Sequence, residues 1–260
     1  PRRREIEVNV LGINHFTWID RATYDGHDLL ELVRHHIAQE GVLRPYTEEE
    51  VLGWNSYFAC GHQVKYQLFR RYGLLGAAGD RHLAEFVPGF LTDDATIFRY
   101  GFLRTPIEYR YRRWSEAPAK TRALMSGEMP FHLEHSGEEG AEQMCALLGL
   151  GDMMTNCNLR NDGQIANLPR DAVVETNAYF SADSVRPLVA GPVPDGVLNL
   201  VAPHVRNQEL LVQAALERDV DLAFQAVFAD PLTNLPIDRA WEMFMEMLQA
   251  TKEYLPGFEL

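Results

Sequence analysis

Three stretches of this sequence gather side chains able to do chemistry. Asn14-His15 closes an apolar strand-like run, a place where polar side chains are held rigidly at a cleft. A neutral imidazole there suits a transition metal. It suits a hydrogen-bonded structural role as well, the commoner fate of a lone histidine. Asp80, Arg81, His82 and Glu85 crowd into the glycine-rich stretch GLLGAAGDRHLAEFVP, the densest polar cluster in the chain. They offer a candidate base, a fixed cation and an imidazole, a set fitted to proton abstraction beside a carbonyl or to carboxylate binding. The same residues would also make a surface loop laced with salt bridges. Cys60-Gly61-His62 carries metal-binding types, but on a helix residues two apart face different ways, so no site is expected there.

Other polar groups read more plainly. Asn156, Asn158 and Asn161 suit Asx-stabilised turns or, at strand ends, sugar hydroxyls. His35-His36, His132 and His135 read as solvated or loop histidines, and Met243, Met245 and Met247 as core or interface filling.

The elements that must position these residues follow from periodicity. In EIEVNVLGINHFTWI, Ile6, Val8, Val10 and Gly12 alternate with Glu7, Asn9 and Leu11, which predicts a strand, the Asn14-His15 junction and a second strand. Helices are expected from 28 to 39, ended by Gly41, and from 47 to 72, opened by a Thr47/Glu50 capping box and stopped by Gly73. A loop then spans 73 to 88. A basic, aromatic helix covers 106 to 125, and a Ser136/Glu139 capping box opens one from 138 to 148. Short strands at 153–159 and 172–180 flank the turn chemistry of Asn161-Asp162-Gly163 and Asn167-Leu168-Pro169. Helices at 198–218, 222–228 and 238–254 complete the chain, with Pro231 separating the last two. No repeat or linker interrupts it, so one α+β domain over 1–260 is expected.

Bulk properties narrow the function. The net charge of −13 opposes attraction to phosphate backbones or anionic membranes, so neither nucleic acid nor a membrane is an expected partner. The basic run Arg2-Arg3-Arg4 reads as a solvated linker. Three cysteines with no Cys-x-x-Cys pair suggest no disulfide framework or structural zinc, and fit a reducing cytoplasm. A chain opening at Pro1 reads as a piece of something longer. Nor is there a dinucleotide fingerprint: the glycines at 73, 76 and 79 are spaced three apart, with no acidic residue about twenty positions on, and read as loop glycines.

Taken together, VNVLGINHFTWI, AAGDRHLAEFVPGF, SGEEGAEQMCALLGLG, NCNLRNDGQIANLPRDAVVETNAYF and AFQAVFADPL resemble blocks of family 4 glycoside hydrolases, specifically the α-galacturonidase branch. The resemblance runs from Pro1 nearly to the C-terminus. It implies a C-terminal substrate- and metal-binding domain like that of lactate and malate dehydrogenases, with the NAD-holding Rossmann domain and a metal-ligating Cys upstream of Pro1. Neither Cys60 nor Cys157 matches that Cys. The activity implied is hydrolysis of α-linked uronides by redox-assisted elimination, an exception to the usual paired carboxylates. NAD takes hydride from C3, manganese polarises the ketone, a base removes the C2 proton, the leaving group departs, water adds and NADH returns the hydride.

By resemblance His15 is the metal ligand from this half, Asn14 contacts sugar hydroxyls, and Asp80 stands where relatives carry a proposed C2 base. Arg81 is then expected to hold the substrate carboxylate, with His82 supporting the base or the leaving group. This half alone is expected to be inactive, and the intact enzyme a homo-oligomer. A neutral α-glucosidase or α-galactosidase is the alternative within the family, and a non-catalytic sugar-binding or assembly module the alternative outside it.

Overall fold

The computed structural model describes residues 5–132 and 137–258. The Arg2–Arg4 run, His135 and the Ser136 half of the expected capping box lie outside that range. Strands β1 (Glu7–Ile13) and β2 (Phe16–Tyr24) pair antiparallel with Ile13 opposite Phe16, so Asn14 and His15 form the two-residue turn between them. His15 takes a φ of 63°, as such hairpin turns require. Short β3 (His27–Asp28) extends β2 and leads into α1 (Leu29–Ile37), which Asp28 caps through the Leu30 amide.

A register slip between Asn9 and Val10 marks a bulge in the hairpin. Ile6, Val8 and Val10 share a face, as the alternation predicts. Leu11, expected among the polar positions, is instead fully buried with Ile13, Phe16 and Trp18. Beyond the bulge that face is roofed by helices, and Val64, Leu68, Leu83, Val197 and Val201 close over it.

The expected helix from 47 to 72 is two helices, α2 (Glu48–Gly53) and α3 (Gln63–Tyr72). The Thr47/Glu50 capping box starts the first, and Gly73, at φ 78°, stops the second. Between them Asn55 and His62 turn left-handed, which an α-helix cannot absorb. Gly61 also approaches Tyr46 so closely that a Cβ there would lie 2.5 Å from the ring. Cys60 and His62 are therefore not on a helix, and the reason for setting them aside disappears.

The stretch 73–88 is likewise no simple loop. Leu75–Gly76 forms β4 against Trp18 and Ile19 of β2, and Asp80–Phe86 forms α4. Then come α5 (Asp94–Arg99), α6 (Ile107–Ser126) and α7 (Gly140–Leu147). Strands β5 (Met153–Arg160), β6 (Val173–Ser181) and β7 (Ser184–Pro187) follow, the last unforeseen in the sequence. Among the described residues the strands form one antiparallel sheet ordered β3-β2-β1-β6-β5, with β4 on β2 and β7 on β6. Asn161, buried, ties the β5–β6 connection by donating to the carbonyls of Ile165, Leu168 and Pro169, the turn role its residue type predicts.

Helix α8 (Asp195–Glu217) lays Val197, Val201 and Val205 onto the core. Helices α9 (Val220–Phe228) and α10 (Ile237–Ala250) pack through Phe224, whose ring meets Trp241 edge-on at 4.9 Å. Phe244 is buried in that contact, while Met243 and Met247 stay on the exposed face. The α+β class expected from sequence is the architecture found, and no helix among the described residues is long and apolar enough to cross a membrane.

Candidate functional site

The face of β1 that carries Ile6, Val8 and Val10 floors an open cleft of about 1160 Å³. The hairpin turn sets Asn14 and His15 at its edge. Helix α4 brings His82 against His15, ring centroids 4.5 Å apart. From the other side β5 and β6 contribute Thr155, Asn156, Glu175 and Asn177.

Glu175 is largely buried because its strand neighbours, Gly12 on β1 and Asn158 on β5, flank it in mid-sheet. Burial pushes its carboxyl above the ordinary carboxylate range, opposed by a hydrogen bond donated by the Asn156 side chain and by the nearby His15. Glu139, which accepts from the Thr155 hydroxyl, joins Glu142 and Asp152 on the wall. The described lining thus holds four carboxylates and two histidines but no lysine or arginine, a field that draws cations in.

The cluster expected on one loop is parted by helix geometry. Successive α-helical residues point about 100° apart, so Asp80, Arg81 and His82 leave α4 in three directions. His82 alone of the three lines the cleft, its Nδ1 3.3 Å from Glu85 Oε2. Arg81 turns toward the 54–62 segment, where it donates to the Tyr57 carbonyl at 2.9 Å and covers the Phe58 ring, and it also donates to the Thr105 hydroxyl at 2.8 Å. Asp80 points inward. At 1% exposure, it accepts from the amides of Val64 at 3.1 Å and Lys65 at 3.1 Å. Burial raises its pKa above the usual carboxylate value, and those two hydrogen bonds only partly offset the effect.

The structure therefore brings Asn14, His15 and His82 together and leaves Asp80 and Arg81 outside the cleft lining. Glu175 is the group that sequence reasoning missed. Its signal was present: a lone carboxylate inside the otherwise apolar or neutral run VVETNAYF.

Known proteins match this chain along nearly its whole length. Residues 10–233 match the Family 4 glycosyl hydrolase C-terminal domain. A protein named alpha-galacturonidase from Thermoanaerobacterium saccharolyticum is 44% identical over 99% of the chain and 56% of its own length. The crystal structure of the glucosidase candidate LplD from Bacillus subtilis superposes with a TM-score of 0.86 at 43% identity, over 95% of this chain and 56% of the other. At 19% identity, a 6-phospho-alpha-glucosidase from gut microorganisms, solved in complex with NAD and Mn2+, shares the fold with a TM-score of 0.69, over 98% of this chain and 56% of its own. The chain spans about half the length of the curated relatives it matches.

Proposed function

The chain belongs to the family 4 glycosyl hydrolases as their C-terminal domain, and from that premise we propose that it forms the substrate side of an enzyme cleaving α-linked galacturonides with NAD and a divalent metal, manganese first. The proposed domain takes in the whole of 1–260. One observation carries the reading: in a chain so close in sequence to an alpha-galacturonidase, His15, His82 and Glu175 meet at one open cleft on a rigid hairpin and sheet.

The donor set fits a metal. An imidazole held at a tight turn and a carboxylate that senses its charge are ligand types suited to manganese or zinc, in a cleft whose remaining charges are negative. His15 is the ligand we assign to it. The sequence carries no dinucleotide fingerprint, so none of its residues is assigned to NAD. When bound, the two groups supply Lewis-acid polarisation of a sugar carbonyl and a hydride acceptor.

The chain's own side chains would do the rest. Asn14, Asn156 and Asn177 offer amides to sugar hydroxyls at the cleft edge. His82 has Nδ1 engaged by Glu85, which fixes the ring and leaves Nε2 to carry a proton to or from substrate. Asp80, which the resemblance makes the base, would have to leave two amides to reach a sugar. It acts better as the support that sets α4, and with it His82. Arg81 is tied through Nη1 to Tyr57 and Thr105 and does not line the cleft, so recognition of the carboxylate falls to His82.

Three free cysteines fit a cytoplasmic protein. The exposed Ile107, Tyr111 and Trp114 of α6 support a homo-oligomer. The test of substrate class is turnover of an aryl α-galacturonide against the matching α-galactoside by the intact protein, given NAD and Mn2+. A lower KM for the uronide, rising in His82→Gln while that for the neutral sugar holds, is expected. Equal handling of both sugars would refute the uronide assignment.

A further inference from the structure

We propose that Cys60, His62 and Asp80 form a second metal site, separate from the cleft and selective for a borderline ion of the zinc class. The three donor atoms lie within 4.8 Å of one another, and none of the three residues lines the cleft.

The spacing is that of a chelate. Cys60 Sγ stands 3.5 Å from His62 Nδ1. Two donors on one tetrahedral zinc, with Zn–S about 2.3 Å and Zn–N about 2.0–2.1 Å, stand about 3.5 Å apart. Asp80 supplies a carboxylate from the facing helix α4, its oxygens already oriented by the Val64 and Lys65 amides. Three mixed S, N and O donors with a water in the fourth position make an ordinary zinc coordination sphere.

The backbone around the cluster is built to hold it. Gln63, almost fully buried, donates to the carbonyls of Val42 at 2.8 Å and Gly61 at 3.1 Å and accepts from the Arg44 amide. The Gly61 amide donates to the Gly101 carbonyl at 2.7 Å. His62 itself sits at φ 56°, an uncommon conformation for a non-glycine residue. Together these bonds pin the Cys-Gly-His tripeptide on both sides and keep its two donors on Asp80's side.

Charge is the term to be overcome, since the N-terminus of α3 and Lys65 both bring positive potential. A thiolate and a carboxylate cancel a divalent charge. A thiolate donor ranks zinc and cobalt above manganese in affinity. The site would therefore load independently of the manganese proposed for His15. It would tie the 54–62 segment to the helix that presents His82.

The experiment is titration of the purified chain with Co2+ in the absence of competing thiols, followed by optical absorption. One equivalent is expected to give a sulfur-to-cobalt charge-transfer band that zinc abolishes, that Cys60→Ser lacks and that His15→Ala retains. In parallel, peptide mass spectrometry follows alkylation. With zinc at about ten times its Kd, alkylation of Cys60 slows about tenfold while that of exposed Cys145 does not. This second readout uses wild-type protein and stands even if Cys60→Ser does not fold. A saturating titration without a sulfur band, a band that survives in Cys60→Ser, or Cys60 alkylation indifferent to zinc overturns the site.

Discussion

Replacing Asp80 with alanine should destabilise the fold more than any surface change, because Asp80 caps a helix from a distance. Helix α3 has no local cap: the side chain of His62, at its N-cap position, bonds to none of the helix's first amides. Its Val64 and Lys65 amides are satisfied by Asp80 instead. Alanine leaves the buried Val64 donor without an acceptor and exposes Lys65's more partly, a loss of about 2–4 kcal/mol at 1–3 kcal/mol per stranded group. Asparagine keeps one acceptor and removes a buried charge, so it should lose less than half as much.

The ionisation supplies a sign. The folded pKa of Asp80 is raised, chiefly by burial, so its stabilising contribution is complete below the unfolded value and declines as pH climbs through the folded one. Asp80→Asn should therefore gain on the wild type as pH rises from the ordinary aspartate value through the raised folded one. Urea unfolding followed by both circular dichroism and tryptophan fluorescence measures both effects. An Asp80→Ala variant within about 0.5 kcal/mol of wild type, or an Asn variant that loses ground as pH rises, refutes the reasoning.

Gly12 sits at φ 148°, where a Cβ would meet the Phe16 carbonyl oxygen at 2.5 Å and Thr17 Cα at 2.9 Å. Both are backbone atoms, so Gly12→Ala must spread the hairpin that carries Asn14 and His15, at a cost of about 1–3 kcal/mol readable as a lower Tm. Glu50 is held at about 2 by its hydrogen bond to Arg44 and by the Thr47 amide. A depressed carboxylate stabilises above its unfolded pKa and loses that contribution as pH falls through the folded value. Carboxyl NMR should place its midpoint near 2 in the wild type and closer to the ordinary glutamate value in Arg44→Gln; no movement would mean that the ion pair is not the cause.

Elements with strong periodicity or explicit caps were legible in the sequence. The hairpin, α1, α6, the β5–β6 pair and the three C-terminal helices fall where alternation, helical spacing and turn residues put them. The long helix from 47 to 72 failed for a physical reason. Both of its ends carry true signals, but the break between them rests on left-handed Asn55 and His62 and on Gly61 packed against Tyr46, which is tertiary information. Reading 80–85 as a loop made one polar cluster of residues that a helix sends apart. Only His82 reaches the cleft, while Glu175, far off in sequence, arrives there through sheet pairing. Asn14-His15 was placed at the edge of a cleft because two flanking strands leave a two-residue junction no other position.

The central claim is that His15 anchors the metal of a cofactor-dependent glycosidase. Its most direct test is turnover of an aryl α-galacturonide by the intact protein, with NAD and Mn2+ added singly and together, in wild type and His15→Ala. Turnover is expected only with both additions, and its loss in the variant, accompanied by loss of Mn2+ binding in calorimetry. Turnover without NAD, or a His15→Ala protein that still binds Mn2+ and works at the wild-type rate, would contradict it.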